Sequence, residues 1–302
     1  MYHGIINIEK EAGFTSHDVV AKLRGILGQK KIGHTGTLDP DAVGVLPVCL
    51  GVGTKLCDML NDQSKEYIAE LLLGVTTDTQ DMSGTVLSRQ EVHATEDDVR
   101  KAVYSFRGSY DQVPPMYSAL KINGKKLYEL AREGKVVERK ARCVQIEEIE
   151  ILSMQLPKVR MRVVCSKGTY IRTLCDDIGQ KLGCGAAMES LQRTRVGIFL
   201  IKDALLLDEV ERLLREGRLE EYIIPVEEMF SDLQDIRVSR DYLKQLRNGN
   251  CLALHMVHEK NAPADGERIR VYSEQGIFYG IYRYERETSL FFPVKMFLPE
   301  GS

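Results

Sequence analysis

An aspartate set in a glycine-rich turn is the clearest candidate for chemistry in this sequence. The stretch GHTGTLDPDAVGVLP, residues 33–47, places Gly33, Gly36 and Gly44 around Asp39-Pro40 and runs straight into an apolar segment, as a stiff loop hung on a buried element would. Arg172 stands in a second glycine-containing turn, SKGTYIRTL, which runs into a helix and offers the fixed countercharge that a buried carboxylate requires. Such a pairing is expected to lower the acid's pKa and keep it ionised, which suits a nucleophile or base better than a proton donor. A calcium loop opening at Asp39 would need oxygen ligands where Val43 and Leu50 stand. Asp78 and Asp81, in TTDTQDMSG, fit either a magnesium site or a pair of Asx turns. GVGTK, residues 51–55, lacks the G-K-[ST] ending of a phosphate-binding loop, and the six histidines contain no H-x-x-x-H pair.

The elements that must position these residues are legible from periodicity and punctuation. TSHDVVAKLRGILG, residues 15–28, reads as an amphipathic helix capped by Thr15 or Ser16, with Asp18 at its positive end. VGVLPVCLGV reads as a buried strand, GTKLCDMLND as a helix opening at Thr54, and KEYIAELLLGV as a strand followed by a turn. ATEDDVRKAVYSFRG is predicted to be a helix capped by Thr95, CVQIEEIEIL and KVRMRVVCS two strands, and YIRTLCDDIGQKLG the helix after them. Intermixed helices and adjacent strands imply an α+β or mixed α/β domain built on a large sheet. Beyond about residue 232 the texture changes to short strands with tight turns at Glu274–Gly276 and near Glu287, the pattern of a small closed or partly closed β unit. The predicted division is therefore 1–232 and 233–302.

The chain has 302 residues, ample for such a core, and its 43% hydrophobic and 28% charged residues are those of an ordinary globular protein. No basic and apolar leader and no run of about 18 apolar residues is present, so an intracellular, cytoplasmic location without a membrane span is expected. Seven scattered cysteines with no C-x-x-C pair point to reduced thiols rather than a disulfide framework or zinc knuckle. A formal net charge of −3 provides no global pull toward a polyanion, so any nucleic-acid binding must come from local patches. Residues 121–142 are one such patch, with eight basic against three acidic side chains, or else a solvated helix laced with i,i+4 pairs.

GHTGTLDPDAVGVLP, SKEYIAELLLGVTTDTQDMSG, PPMYSALKINGKKLYELAREG, CSKGTYIRTLCDDIGQKLGCGA and LQRTRVGIF, in this order, resemble the tRNA pseudouridine-55 synthase family of the TruB type. The resemblance spans residues 4–230, and the rest resembles the small PUA-like RNA-binding domain that follows in this family. It implies a pseudouridine synthase fold, with a mainly antiparallel mixed sheet flanked by helices, an RNA-clasping insertion at about 112–143, and a C-terminal β-barrel-like domain. By position it makes Asp39 the catalytic aspartate, Arg172 its ion-pair partner, and Tyr67 the aromatic that packs on the target base. Tyr170 lines the same pocket, Leu191 closes it, His34 lies at the RNA interface, and Lys10 belongs to the family's early lysine block. The chain departs from the family at Glu11, where proline is expected, and at Asp41 and Val43.

The implied reaction breaks the N1–C1′ bond of a flipped-out uridine in the T-loop of tRNA and joins C5 to C1′, with no cofactor, no metal and a monomeric enzyme expected. Attack at C1′, addition at C6 and removal of the C2′ proton all need the same charged oxygen. Two other readings stay open on the residues alone. One is an RNA-binding module without chemistry, which would tolerate Asp39→Asn, and the other a metal-dependent phosphoesterase using Asp39, Asp78 and Asp81, which a chelator would silence.

Overall fold

Continuous apolar runs and apolar residues at alternate positions together build one large sheet. Its strands are β1 (Gly4–Lys10), β2 (Ile32–His34), β3 (Val43–Leu50), β4 (Lys65–Leu73), β7 (Gly108–Gln112), β10 (Arg142–Gln155), β11 (Lys158–Cys165), β12 (Ala186–Val196), β13 (Phe199–Leu200) and β14 (Ile223–Ile224). The order is β14-β1-β3-β12-β4-β11-β10-β7, with β2 added to β3 and β13 to β12. All pairs in it are antiparallel except β3 with β12, which touch over Gln192↔Val43 and Arg193↔Gly44. The expected large, mainly antiparallel mixed sheet is therefore present. The computed structural model describes residues 1–298 other than Asn123 and Lys260; Asn123 of the basic segment and residues 299–302 of the predicted C-terminal unit lie outside the described residues.

β4 shows why its part of the sheet has one face to cover. Its burial alternates strictly, with Lys65, Tyr67, Ala69, Leu71 and Leu73 inward and Glu66, Ile68, Glu70 and Leu72 turned the other way. Helices α3 (Glu96–Tyr104) and α5 (Ile171–Leu182) lay Val99, Val103, Leu174 and Ile178 over that face. Helices α1 (Ser16–Leu27) and α6 (Leu207–Arg215) cover the part of the sheet built on β1 and β3. Burying each such side chain is worth about 1.5–3 kcal/mol, so the apolar face holds the layers together.

Caps explain where the helices start. Thr15 accepts from the Asp18 amide at 3.1 Å while Asp18 accepts from the Thr15 amide at 2.8 Å, a closed capping box, and Thr95 and Asp98 repeat it on α3. The helix expected to open at Thr54 instead begins as a 3₁₀ turn, Gly51–Leu56, leading into α2 (Cys57–Asn61). The Thr54 hydroxyl donates back to the Gly51 carbonyl at 2.8 Å, and neither turn has a side-chain cap.

Two hairpins, β5 (Val75–Thr77) with β6 (Val86–Arg89) and β8 (Lys121–Ile122) with β9 (Lys125–Lys126), stand off the large sheet. Among the described residues of the basic segment only α4 (Leu127–Arg132) is helical. The C-terminal strands β15 (Asp235–Val238), β16 (Leu252–Ala253), β17 (Arg268–Ser273), β18 (Phe278–Glu285) and β19 (Leu290–Met296), with helix α7 (Leu243–Arg247), make a separate five-stranded sheet in the order β15-β17-β18-β19-β16. It shares apolar packing with the large unit, because Phe278, Ile281 and Phe297 join Ile5, Val45, Leu56 and Phe230. Among the described residues no helix is long and apolar enough to cross a membrane.

Candidate active site

The loop between β2 and β3 carries Asp39 and is tied down on every side. Ser16, left free by Thr15's capping role, accepts from the Leu38 amide at 3.0 Å. Lys10, fully buried, donates to the carbonyls of Pro40 at 2.8 Å and Glu11 at 3.0 Å, and the Gly13 amide bonds Pro40 at 3.0 Å. Arg193 donates to Val45 at 2.7 Å and Gly36 at 3.2 Å, clamping both limbs of the loop. Gly44 closes it with φ +105°, where an added Cβ would stand 2.2 Å from the Arg193 carbonyl oxygen. The loop is stiff because four residues outside it, Lys10, Gly13, Ser16 and Arg193, bond its backbone.

Arg172 reaches the loop from the first turn of α5. Its Nη2 lies 3.4 Å from Oδ1 of Asp39 and donates to the Tyr117 carbonyl at 2.6 Å, while its Nη1 lies 3.6 Å from Oδ2 of Asp81. The Arg172 side chain is 7% exposed and that of Asp39 is 40% exposed, so the cation is a buried fixture and the carboxylate faces outward. The pairing expected between residues 39 and 172 is present, but its effect on the acid differs from expectation. Desolvation raises the Asp39 pKa above the ordinary carboxylate range; Arg172 and Lys10 pull it back, and Asp81 and Asp41 push it further up. Although two fifths of its side-chain surface is open, burial of the carboxyl outweighs a guanidinium shared with a second acid.

Tyr67 is buried beside Leu38, Ala42 and Leu191, with its phenol held protonated by burial and lying against the Arg193 guanidinium. Tyr170 is the residue before α5; it exchanges two hydrogen bonds with the Gln112 side chain at 2.8 and 3.0 Å, and its ring lies 5.9 Å from the Arg172 guanidinium carbon. Burial keeps its phenol protonated too. Leu191, 9% exposed, lies in β12 on the same core cluster. His34 packs edge-to-face on His17 at 5.2 Å, and burial, His17 and Arg193 lower its pKa to about 4, so it is neutral. The Lys10 ammonium, lowered to about 8 by burial, is engaged with loop carbonyls, so its influence on a bound substrate would run through the loop.

The structure thus brings Asp39, Arg172, Tyr67, Tyr170 and Leu191 together and adds residues that sequence reasoning missed. Asp81 was legible only as a turn former or magnesium ligand. It does make an Asx turn, accepting from the Ser83 amide at 3.1 Å, yet its other oxygen faces Arg172. Arg193 alternates with Leu191 along β12, and that period of two was the available signal for an inward guanidinium.

Two family models cover most of the chain: TruB family pseudouridylate synthase (N terminal domain) over residues 24–171, and tRNA pseudouridylate synthase B C-terminal domain over residues 172–231. The chain is 53% identical over 306 aligned residues to the tRNA pseudouridine synthase B of Lachnoclostridium phytofermentans, covering 98% of this chain and 100% of that one. It is 44% identical to the protein of the same name from Alkaliphilus oremlandii, covering 99% of each. Among solved structures, one chain in an H/ACA RNP bound to a substrate RNA containing 2'-deoxyuridine matches with TM-score 0.71 and 25% identity, covering 99% of this chain and 86% of that one. With an aspartate–arginine pair in an aromatic-lined site and relatives this similar along their whole length, the chain belongs to the TruB family of pseudouridine synthases, isomerases that convert uridine to pseudouridine in tRNA.

Proposed function

We propose that the substrate is a uridine in the T-loop of tRNA, flipped out of its stack and isomerised with Asp39 as the reacting carboxylate. The observation that carries this reading is the Asp39–Arg172 pair, in which a buried cation orients a carboxylate that is open to a ligand. A desolvated carboxylate above its usual pKa is a stronger base and nucleophile than one in water, which suits attack at the sugar or base and cleavage of the N1–C1′ bond. Arg172 limits the cost of burying that charge, and Tyr67 offers an aromatic surface against the base, worth about 1–3 kcal/mol per stacked base. Tyr170, neutral and next to the guanidinium, orders the pair. Leu191 supplies an apolar wall, and His34 meets the RNA as an uncharged ring.

The insertion at about 112–143 supports a phosphate clasp, because it is basic at its tip and reaches the catalytic pair at its root through the Tyr117 carbonyl. Residues 233–302 act as a second RNA-contacting unit, and the enzyme works as a monomer. RNA is read by sequence most readily in loops whose bases can be splayed out, so a T-loop hairpin fits the need for an everted base. The test is a tRNA transcript tritiated at C5 of its uridines. Label is expected in water with the unaltered protein and none with Asp39→Ala, while tRNA binding by the variant persists. Release from a transcript whose T-loop uridines are replaced by cytidine would overturn the T-loop assignment.

A further inference from the structure

Among the described residues, Gln80 is the one non-glycine residue near the site whose backbone occupies the left-handed region, with φ 66°. Side chains other than glycine and asparagine enter that region at a cost, and such positions persist where surrounding bonds over-determine them. Here the bonds are specific. The Thr173 hydroxyl donates to Oε1 of Gln80 at 2.7 Å, and Nε2 of Gln80 donates to the Asp176 carboxylate at 3.0 Å. Both partners belong to α5, one residue and one turn beyond Arg172. The Gln80 carbonyl accepts from the Met188 amide at 3.0 Å, fastening the same loop to β12, and the next residue is Asp81.

We infer that Gln80 is a positioning residue that locks the Asp81 loop to the start of α5 and thereby sets where the Arg172 guanidinium sits between Asp81 and Asp39. The inference rests on the reading of Asp39 as the reacting carboxylate. The left-handed turn is what points the Gln80 side chain at Thr173 and Asp176 while its neighbour faces Arg172. A shorter amide in the same backbone would not span both partners. Arg172 lies at 3.4 and 3.6 Å from its two acids, separations at which a small slip of helix against loop changes both contacts.

The test uses the full chain and single-turnover kinetics on tRNA transcript with Gln80→Asn and Gln80→Gly, which suit the backbone but not the bridge. Thr173→Val, which cuts the bridge from the helix side, is a third variant in case the loop variants fold poorly. The expected result is a rate lower by about 10-fold or more with tRNA affinity unchanged, since misplacement of a catalytic group by about 1 Å costs on the order of 10²-fold. The acid limb of the rate–pH profile is also expected to move to higher pH. The groups that face Asp39 are Arg172, Asp81, Lys10, Asp41, Tyr67 and Tyr170, and the guanidinium is the strongest charge among them. Loosening it therefore raises the carboxylate's pKa. An unchanged rate, or a slower rate with an unmoved profile, would overturn the inference. Turnover retained by Asp39→Ala would instead sink the reading beneath it.

Discussion

Nη1 of Arg172 lies 3.6 Å from the carboxylate of Asp81, so the guanidinium that faces Asp39 at 3.4 Å is divided between two acids. Burial of the carboxyl, and then that division, explain why Asp39 is not driven to low pKa by its cation. The division also makes the two replacements opposite in sign. Asp81→Asn removes a like charge and leaves Arg172 to Asp39 alone, so the acid limb of the rate–pH profile is expected to fall to lower pH. Arg172→Met removes the larger opposing influence, so the limb is expected to rise. Both should slow the plateau rate, by roughly 10–10²-fold for Asp81→Asn through lost orientation. Single-turnover rates across pH 5–8 check this; limbs moving the same way would contradict it.

Glycines around the site should not respond alike to alanine. Gly13 has φ +83° and nothing within 4 Å of an added Cβ, whereas Gly44 would drive a Cβ to 2.2 Å from the Arg193 carbonyl oxygen. Gly13→Ala is expected to cost about 1–2 kcal/mol from backbone strain alone. Gly44→Ala should cost more than about 4 kcal/mol, because the β3–β12 contact must open. Urea unfolding of the two variants measures the difference, and equal costs would show that the loop yields freely.

Asp177 contributes a pH dependence of stability that has nothing to do with turnover. Burial, and then Asp176 beside it, raise its pKa to about 6. The folded state therefore holds this proton more tightly than the unfolded chain does. Its stabilising contribution is complete below about pH 4 and is lost as pH rises through about 6. Asp177→Asn is expected to raise the melting temperature at pH 8 by a few degrees, at roughly 2–4 °C per kcal/mol, and to have little effect at pH 4. A gain of the same size at both pH values would mean the charge is not its origin.

Affinity for tRNA should fall steeply with salt in spite of the net charge of −3, because the contacts are local. Lys121, Lys140 and Arg142 are exposed on the basic segment. Replacing each by alanine is expected to reduce the slope of log affinity against log salt by about one unit per lost phosphate contact. A binding titration from 50 to 300 mM salt decides it, and an unaltered slope would move the clasp elsewhere.

Local signals made a large part of this architecture legible. The Thr95 cap, the strands of residues 65–73 and 158–165 and the helix after Tyr170 follow from caps and periodicity that act over a few residues. The helix expected from Thr54 starts three residues later, behind a 3₁₀ turn in which the Thr54 hydroxyl bonds the carbonyl three residues back, a local detail that periodicity does not register. Of the described residues of the basic segment, 121–142, only six are helical, since charge pattern constrains helices weakly.

From the sequence alone came Asp39 in its glycine loop, Arg172 as its candidate countercharge, the strand that carries Tyr67 and the family itself, because each is written in residue type and short spacing. Only the tertiary structure decided that Thr15 caps and Ser16 braces the loop, that Arg172 answers to two acids, and that burial raises Asp39 rather than lowering it. Those outcomes depend on which atoms lie within about 4 Å across separations of 22, 91 and 133 residues, and on how much water they exclude.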